Sequence, residues 1–220
     1  MRVLLLAQFY PPIIGGEEQH VKTLAQVLAG RGHSVSVATL RHGETPERSV
    51  ENGVTVHRLT GTLQRFPKIF AADGRQHAPP FADPEITLAL RRLVAEERPH
   101  VVHAHNWLIH SYLPLAGGNG PATVVTLHDY SLVCAKKSMI RDGAPCPGSG
   151  LGACLKCAST HYGVLKGSLT AAATRLARRM ALARVDKFIA VSEAVASRSG
   201  LTEGGYDAEV IPNFIPDGLG

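Results

Sequence analysis

The chain has 220 residues, 45% of them hydrophobic and 22 of them glycine, so it can bury a large core and is not intrinsically disordered. No apolar run reaches the roughly 18 residues of a membrane span and no signal-peptide layout precedes the first strand, so we expect a cytoplasmic protein. The net charge of +5 favours anionic partners, but without an arginine-rich run or a nucleic-acid motif we expect no nucleic-acid binding.

The first forty residues predict a strand, a glycine turn, a helix and a second strand. Residues 1–7 are apolar, residues 17–31 carry apolar side chains at the spacing of one helix face, and residues 34–40 form the next strand. Gly15 and Gly16 therefore lie at a helix N-terminus, where backbone N–H groups and the helix dipole favour a phosphate or carboxylate. The alternative is a turn that starts the helix and binds nothing.

The rest of the chain repeats this alternation of strands and helices. Further strands are predicted at 54–59, 100–105, 122–127, 187–191 and 208–212, and further helices at 84–98, 107–115, 162–184 and 192–199. Residues 65–84 predict an irregular surface loop, and residues 129–160 a cysteine-rich loop insertion. The order predicts an α/β fold, a Rossmann-like, doubly wound and mostly parallel sheet with helices on both faces.

Polar residues follow the predicted strands, at the edge where such sheets bind their ligands. They are His105 and Asn106, His128 and Asp129, Ser192 and Asn213. Ser192 is also the expected N-cap of the helix that follows it. Because the carboxyl ends of parallel strands meet at one edge, we expect these residues and the glycine turn to form one site.

Six short motifs occur in order along the chain. They are Pro11-Pro12-x-x-Gly15-Gly16-x-x-x-His20-Val21, Leu28-x-x-Arg31-Gly32-His33-x-Val35, Val102-His-Ala-His105, Thr126-Leu-His-Asp129, Val191-Ser192-Glu193 and Ile211-Pro-Asn213. Each is weak alone, but together they resemble the group 1 retaining glycosyltransferases, glycosyltransferase family 4, over the whole chain. The resemblance implies a GT-B enzyme, in which two Rossmann-like domains face each other across a cleft.

The resemblance covers only the N-terminal half of such an enzyme. In the family this half mainly binds the hydroxyl acceptor, and a second domain with paired glutamates mainly binds the nucleotide-sugar donor. We therefore expect residues 1–220 to be a single N-terminal, acceptor-side domain without the C-terminal nucleotide-sugar-binding domain. Such a domain is expected to be inactive alone, with the donor held mainly by the missing half.

The resemblance also implies roles for single residues. The Gly16 N–H approaches the donor diphosphate or the acceptor, and His128 lies beside the donor sugar, where an imidazole can bind a hydroxyl. Asp129 either orients His128 or caps the following turn. His105 and Asn106 either line the acceptor pocket or satisfy backbone groups at a strand end.

The resemblance also implies roles for His20 and Asn213 and a mechanism for the reaction. His20 either faces the cleft or is a solvated helix residue, and Asn213 shapes the hinge between domains. Retention in the family is described as a front-face substitution, in which the leaving phosphate deprotonates the acceptor. The sequence offers no glycosidase-like carboxylate pair and no Asp-x-Asp motif, so we expect catalysis without a metal or another cofactor.

All four cysteines lie in the insertion, at Cys134, Cys146, Cys154 and Cys157. The Cys-x2-Cys pair with two further cysteines is typical of a four-thiolate structural zinc site, which is our first expectation. An iron–sulfur cluster, one or two disulfides, and uncombined thiols are the alternatives. Because the insertion directly follows Asp129, we also expect it to cover the acceptor side of the cleft as a lid.

The predicted helix 162–184 is basic on one side and rich in leucine and alanine on the other. It can bind an anionic inner membrane face peripherally, or pack in the core with a solvated basic face. Two other functions stay open for the whole chain. One is half of a nucleotide-sugar epimerase, and the other is a non-catalytic phosphate- or nucleotide-binding module regulated through its cysteines.

Overall fold

The computed structural model of the protein describes residues 1–13, 15–66, 71–72, 75–148 and 150–214. The strands are β1 (Arg2–Ala7), β2 (Ser34–Leu40), β3 (Arg48–Glu51), β4 (Val54–Leu59), β5 (Ala71–Ala72), β6 (Arg75–Gln76), β7 (Val101–His105), β8 (Ala122–Leu127), β9 (Ile140–Arg141), β10 (Ala144–Pro145), β11 (Lys187–Ala190) and β12 (Ala208–Val210). The α-helices are α1 (Gly16–Gly30), α2 (Pro84–Glu97), α3 (Ile109–Tyr112), α4 (Leu151–Tyr162), α5 (Val164–Arg184) and α6 (Glu193–Arg198). Short 3-10 helices lie at Thr62–Arg65 and Leu113–Leu115.

Eight strands form one sheet in the order β12-β11-β8-β7-β1-β2-β4-β3. All neighbours are parallel except β3, which pairs antiparallel with β4 at one edge. The predicted Rossmann-like, mostly parallel sheet is therefore confirmed. The edge strand β3 was not predicted, although Asn52 and Gly53 between β3 and β4 both have positive φ, the signal of a tight hairpin turn.

The central strand β1 is buried on both faces, which explains its continuous apolar sequence. Leu4 and Leu6 belong to one core cluster, with Leu90 of α2. The alternate residue Leu5 belongs to the other cluster, with Val21 of α1. Helices on both faces thus cover the sheet and leave its carboxyl edge open for a site.

The insertion is not the irregular loop that the sequence predicted. Its second half forms α4, which packs against α5 around Ala135, Ala158 and Ala171. The predicted helix 162–184 also begins later, at Val164. Gly163 lies between α4 and α5 with a φ of 84°, a left-handed conformation that ends one helix and lets the chain turn into the next.

Helix α5 packs mainly through small residues and leaves three of its leucines exposed. Gly167, Ala171 and Ala177 are among its buried residues, whereas Leu165 and Leu176 are 85% and 61% exposed. The alanines of the predicted leucine- and alanine-rich side therefore supply the buried face, and their small side chains let α4 and α5 approach closely. Among the helices of the described residues, none combines the length and apolar composition that a membrane crossing requires.

The predicted loop at 65–84 is only partly visible. Residues 67–70 and 73–74 lie outside the described residues. The strand β5 lies between these two ranges and pairs antiparallel with β6, which follows the second range, two residues each. The loop ends at Asp83, the N-cap of α2, whose carboxylate accepts hydrogen bonds from the N–H groups of Glu85 and Ile86 at 3.0 and 3.2 Å.

Candidate functional site

The turn between β1 and α1 lies at the carboxyl edge of the sheet. Gly15 is the N-cap of α1 in an extended conformation, and a Cβ at this position would collide with the carboxylate of Glu18. Gly16 is the first helical residue, and a Cβ there would meet no atom within 4 Å. The space above the helix N-terminus is therefore open, as an anion site in this position requires.

Three of the predicted site histidines come together at this edge, and we call His20, His105 and His128 the histidine cluster. His105 ends β7 and is fully buried, and its Nδ1 lies 3.0 Å from Nε2 of His128, which follows the neighbouring strand β8. The His20 ring reaches in from α1, with its centroid 5.8 Å from that of His105 and 5.1 Å from that of His128. His20 is half-buried and lies against the other two rings, so it is not a fully solvated helix residue; whether it faces a cleft between domains stays a prediction.

Sequence reasoning missed a fourth ring in contact with the histidine cluster. His103 lies two residues before His105 on β7, so the two side chains share one face of the strand. Their ring centroids are 4.4 Å apart, and Nε2 of His103 lies 2.7 Å from the Thr126 hydroxyl oxygen. The His-x-His pattern in a predicted strand was the signal that could have identified it.

The histidine cluster is neutral at physiological pH. Burial, reinforced by the nearby imidazole of His20, lowers the pKa of His128 to about 4. Burial lowers the pKa of His20 as well, and that of His105 well below its usual range. Within the described part of the chain, buried Nδ1 of His20, Nε2 of His105 and Nδ1 of His128 have no hydrogen-bond partner. Such orphaned polar atoms cost free energy and mark a place where a ligand can bind.

The segment after β12 also reaches the histidine cluster. The Asn213 side chain lies near His128 and raises the pKa of that imidazole against the effect of burial. The Phe214 ring lies 4.6 Å from the His20 ring, measured between centroids. Asn213, predicted to shape a hinge, therefore also lies near a predicted catalytic residue.

Asn106 supports the backbone at the start of the site. Its φ is 72°, and its side-chain oxygen accepts hydrogen bonds from the N–H groups of Gln8 and Leu108, both at 3.2 Å. Its amide nitrogen donates to Glu17 at the start of α1. Asn106 thus ties the ends of β1 and β7 to α1, which is the backbone-satisfying role among the two predicted alternatives.

Asp129 and Ser192 have local capping roles in the structure. Oδ1 of Asp129 accepts a hydrogen bond from the Ser131 N–H at 2.7 Å, so Asp129 caps the turn that starts the insertion. The Ser192 hydroxyl accepts from the Val195 N–H at 3.3 Å, as the predicted N-cap of α6. These contacts leave any direct role of the two residues in catalysis or binding as a prediction.

Glu17 and Lys137 are half-buried ionisable side chains that lie near enough to influence each other's pKa, which the sequence did not reveal. Burial raises the pKa of Glu17 to about 7, although Lys137 lowers it, and burial lowers the pKa of Lys137. The Lys137 ammonium lies 4.3 Å from the centroid of the Trp107 ring. Because Lys137 belongs to the insertion, this segment contributes a positive charge beside the glycine turn.

Buried histidines should make the fold sensitive to acid. His110 is buried in α3, and burial, reinforced by Lys137, lowers its pKa to about 3. As the pH falls below the usual histidine pKa of about 6.5, the unfolded chain binds a proton at this ring that the folded protein does not bind. The free energy of unfolding therefore falls by up to about 1.4 kcal/mol per pH unit for this group.

The expected result is a smaller stability difference between the wild type and His110→Gln at pH 5 than at pH 7, measured by urea unfolding. The substitution of His161, an exposed histidine of α4, by glutamine is the control and should show the same difference from the wild type at both pH values. An unchanged difference for His110→Gln would contradict the prediction.

The four cysteines surround one cavity of about 320 Å³ between the insertion and α5. The sulfur atoms are present as thiols and are half-buried. No three of them lie within 4.8 Å of one another, although all four belong to the described residues. Arginines also line the cavity, namely Arg141, Arg175, Arg178, Arg179 and Arg198. Four thiols are ligands that zinc prefers, but these thiols do not lie in a tetrahedral arrangement around one point, so zinc stays a prediction.

The zinc prediction is tested by metal analysis of protein purified without chelator. We expect one equivalent of zinc that depends on the cysteines and is lost in Cys154→Ser and in Cys157→Ser, because a four-thiolate site does not survive the loss of a ligand. His161→Gln should keep the metal, since it removes the histidine of α4 and none of the thiols. Protein without a stoichiometric ion would overturn the prediction.

Comparison with known proteins places the chain among enzymes of one family. The family model described as Glycosyltransferase Family 4 matches residues 14–218. Glycogen synthase from Mycobacterium tuberculosis is 29% identical over 145 residues, which are 58% of this chain and 33% of that protein. The chain thus spans about a third of the length of this curated relative.

Solved structures agree on the fold. Sucrose-phosphate synthase from Thermosynechococcus elongatus matches with a TM-score of 0.61 at 14% identity, over 96% of this chain and 47% of that one. HepE from Anabaena in complex with UDP-glucose matches with a TM-score of 0.51 at 17% identity, over 98% of this chain and 44% of that one. The identities are low, so these matches show a common fold.

Proposed function

Because the chain belongs to glycosyltransferase family 4, we propose that it is the acceptor-side half of a retaining enzyme of the GT-B type. This enzyme transfers a sugar from a nucleotide-sugar donor to a hydroxyl acceptor. The proposal rests mainly on the histidine cluster, whose neutral rings lie at the carboxyl edge of the sheet with buried, unpartnered nitrogen atoms. A neutral imidazole can donate and accept a hydrogen bond, as recognition of sugar hydroxyls requires.

Different residues of the site are proposed to bind different parts of the substrates. His128 binds the donor sugar, and the open space at Gly16 receives the diphosphate or the acceptor at the N-terminus of α1. Lys137 adds a positive charge beside this space, and Glu17, with a pKa of about 7, can accept or donate a hydrogen bond to an acceptor hydroxyl. HepE, which shares the fold, is bound to UDP-glucose, which supports a nucleotide sugar as the donor.

Front-face substitution suits these groups. The leaving phosphate takes the proton of the acceptor hydroxyl, so the protein mainly holds both substrates on one face of the sugar and stabilises the developing charge. The histidine cluster and Glu17 have the hydrogen-bonding groups for such positioning. We propose that the chain alone does not turn over a nucleotide sugar, because the donor is held mainly by a second domain.

The function is tested with the gene product that carries this chain, incubated with UDP-, ADP- and GDP-linked sugars with and without an extract that supplies acceptors. Release of nucleoside diphosphate that depends on the acceptor, with retained configuration at the anomeric carbon, is the expected result. Conversion of one nucleotide sugar into another without acceptor would instead indicate an epimerase. Nucleotide binding without any turnover would indicate a non-catalytic module.

We further propose that α5 binds an anionic membrane surface. Val164, Leu165, Leu169 and Leu176 are exposed large apolar residues of this helix. The basic side chains of Arg175 and Arg179 lie on the same helix and are exposed. A surface helix binds a membrane through two interactions. Its apolar side chains enter the boundary of the acyl chains, and its cations attract the anionic headgroups.

Sedimentation with vesicles tests the membrane proposal. The chain should sediment with phosphatidylglycerol vesicles and less with phosphatidylcholine vesicles, and the double substitution Leu165→Glu and Leu169→Glu should reduce this binding strongly. Leu88→Glu is the matched control, because Leu88 is an exposed leucine of α2. Absence of binding at low salt would end the membrane proposal, and self-association that depends on Leu165 would indicate a second copy as the partner.

A further inference from the structure

We propose that His20, His105 and His128 form a binding site for a divalent transition metal ion such as Zn²⁺. This site is separate from the cysteine cavity and lies at the edge of the sheet that is proposed above to bind the sugar. The proposal depends on the geometry of the histidine cluster and not on which sugar donor or acceptor the enzyme uses.

The first observation is geometric. One ring nitrogen from each residue can be chosen so that all three nitrogens lie within 4.8 Å of one another. Zinc–nitrogen bonds of about 2.0–2.1 Å at tetrahedral angles place ligand nitrogens about 3.4 Å apart, so small ring rotations bring the three onto one ion. Elsewhere in residues 1–13, 15–66, 77–148 and 150–214, no other three histidine, cysteine or acidic side chains come this close.

The second observation concerns unsatisfied atoms. Each ring of the histidine cluster has one buried nitrogen without a hydrogen-bond partner in the described structure, and His105 is fully buried. A buried lone pair or N–H group without a partner is costly, and three in one place are better explained by a ligand than by three separate defects. A metal ion bound between the rings would satisfy such nitrogens, after ring rotations that also replace the contact between Nδ1 of His105 and Nε2 of His128.

The third observation is the rigidity of the frame. His105 and His128 come from the ends of two paired parallel strands, and His20 comes from α1, which packs on the same sheet. Three ligands on regular elements hold their geometry better than ligands on loops. Three histidines also leave a fourth position open, so an ion held here can still take a water or a sugar hydroxyl.

A metal in this position competes with the donor sugar for His128. Binding would therefore inhibit transfer if His128 has the role proposed above, and would occur without consequence for transfer if it does not. Metal binding itself needs no turnover, so the two proposals fail or succeed separately.

The test is a titration of the chain with Co²⁺, followed by visible absorption and by calorimetry, in the Cys154→Ser and Cys157→Ser background that removes the Cys-x2-Cys thiolates. We expect one equivalent to bind with the absorption of a four-coordinate nitrogen site and without a thiolate charge-transfer band. His20→Gln and His128→Gln should each weaken binding by at least about tenfold, whereas His33→Gln should not change it.

His20 is the most informative variant, because it lies on a half-buried helix position and its loss spares the core. Unchanged circular dichroism then separates a lost ligand from a lost fold. Failure to bind Co²⁺ or Zn²⁺ stoichiometrically, or binding in His20→Gln or His128→Gln that equals binding in the same background without that substitution, would overturn the proposal.

Discussion

Replacement of His128 by alanine is expected to lower kcat/KM for sugar transfer by about 100- to 1,000-fold in the gene product that carries this chain. His128 lies at the end of β8 with its Nε2 3.0 Å from Nδ1 of His105, so its ring is held in place before substrate binds. A preorganised hydrogen bond to a reacting sugar acts mainly in the transition state, so its removal should lower kcat more than it raises KM.

The control variants separate chemistry from folding. His128→Gln keeps a hydrogen-bonding side chain of similar length and should recover part of the lost rate. His161→Ala removes an exposed histidine of α4 and should leave kcat/KM unchanged. A loss of less than threefold in His128→Ala, with normal unfolding by urea, would remove this residue from the proposed mechanism.

Substitution of Gly167 by alanine is expected to lower the free energy of unfolding by about 1–3 kcal/mol. A Cβ at this position in α5 would collide with the carbonyl of Ala158 and would lie 2.5 Å from the backbone nitrogen of Ser159. Backbone atoms of α4 cannot rotate away as a side chain can, so the two helices must separate. Urea unfolding with far-ultraviolet circular dichroism measures the effect.

The sign of this change is diagnostic, because glycine to alanine within a helix normally stabilises by about 0.5–1 kcal/mol. Gly152 of α4 provides the matched control, since a Cβ there would meet no atom within 4 Å. Gly152→Ala should therefore be neutral or stabilising. Equal effects of the two substitutions would show that α4 and α5 do not pack as described.

The parallel sheet could be predicted because its strands are buried on both faces. Residues 1–7 and 122–127 are apolar almost throughout, and this pattern depends only on the local sequence. The edge strand β3 could not be recognised by the same criterion, because none of its residues is fully buried. Helix α4 was not predicted either, because its cysteines and Gly152 are typical of a metal-binding loop and its helical periodicity is weak by comparison.

Part of the candidate site could be predicted for a similar reason. His105 and His128 each follow an apolar strand, so their meeting at one edge follows from the fold. The proximity of Lys137 to Glu17 could not be predicted, since the two are far apart in sequence and their distance depends on how the insertion folds back. The exposure of Leu165 could not be predicted either. Helix α5 buries its small residues and not this leucine because α4 packs closely against it, and that packing is not evident from the sequence of α5 alone.

The position of β1 has a consequence for biosynthesis. The ribosome makes this strand before either of its partners, since in the finished sheet it lies between β2 and β7. One of its hydrogen-bonding edges can pair once residue 40 has emerged, but the other has no partner until β7, which ends at His105. During that interval an apolar strand with an open edge is exposed, the kind of surface that recruits chaperones and nucleates aggregation.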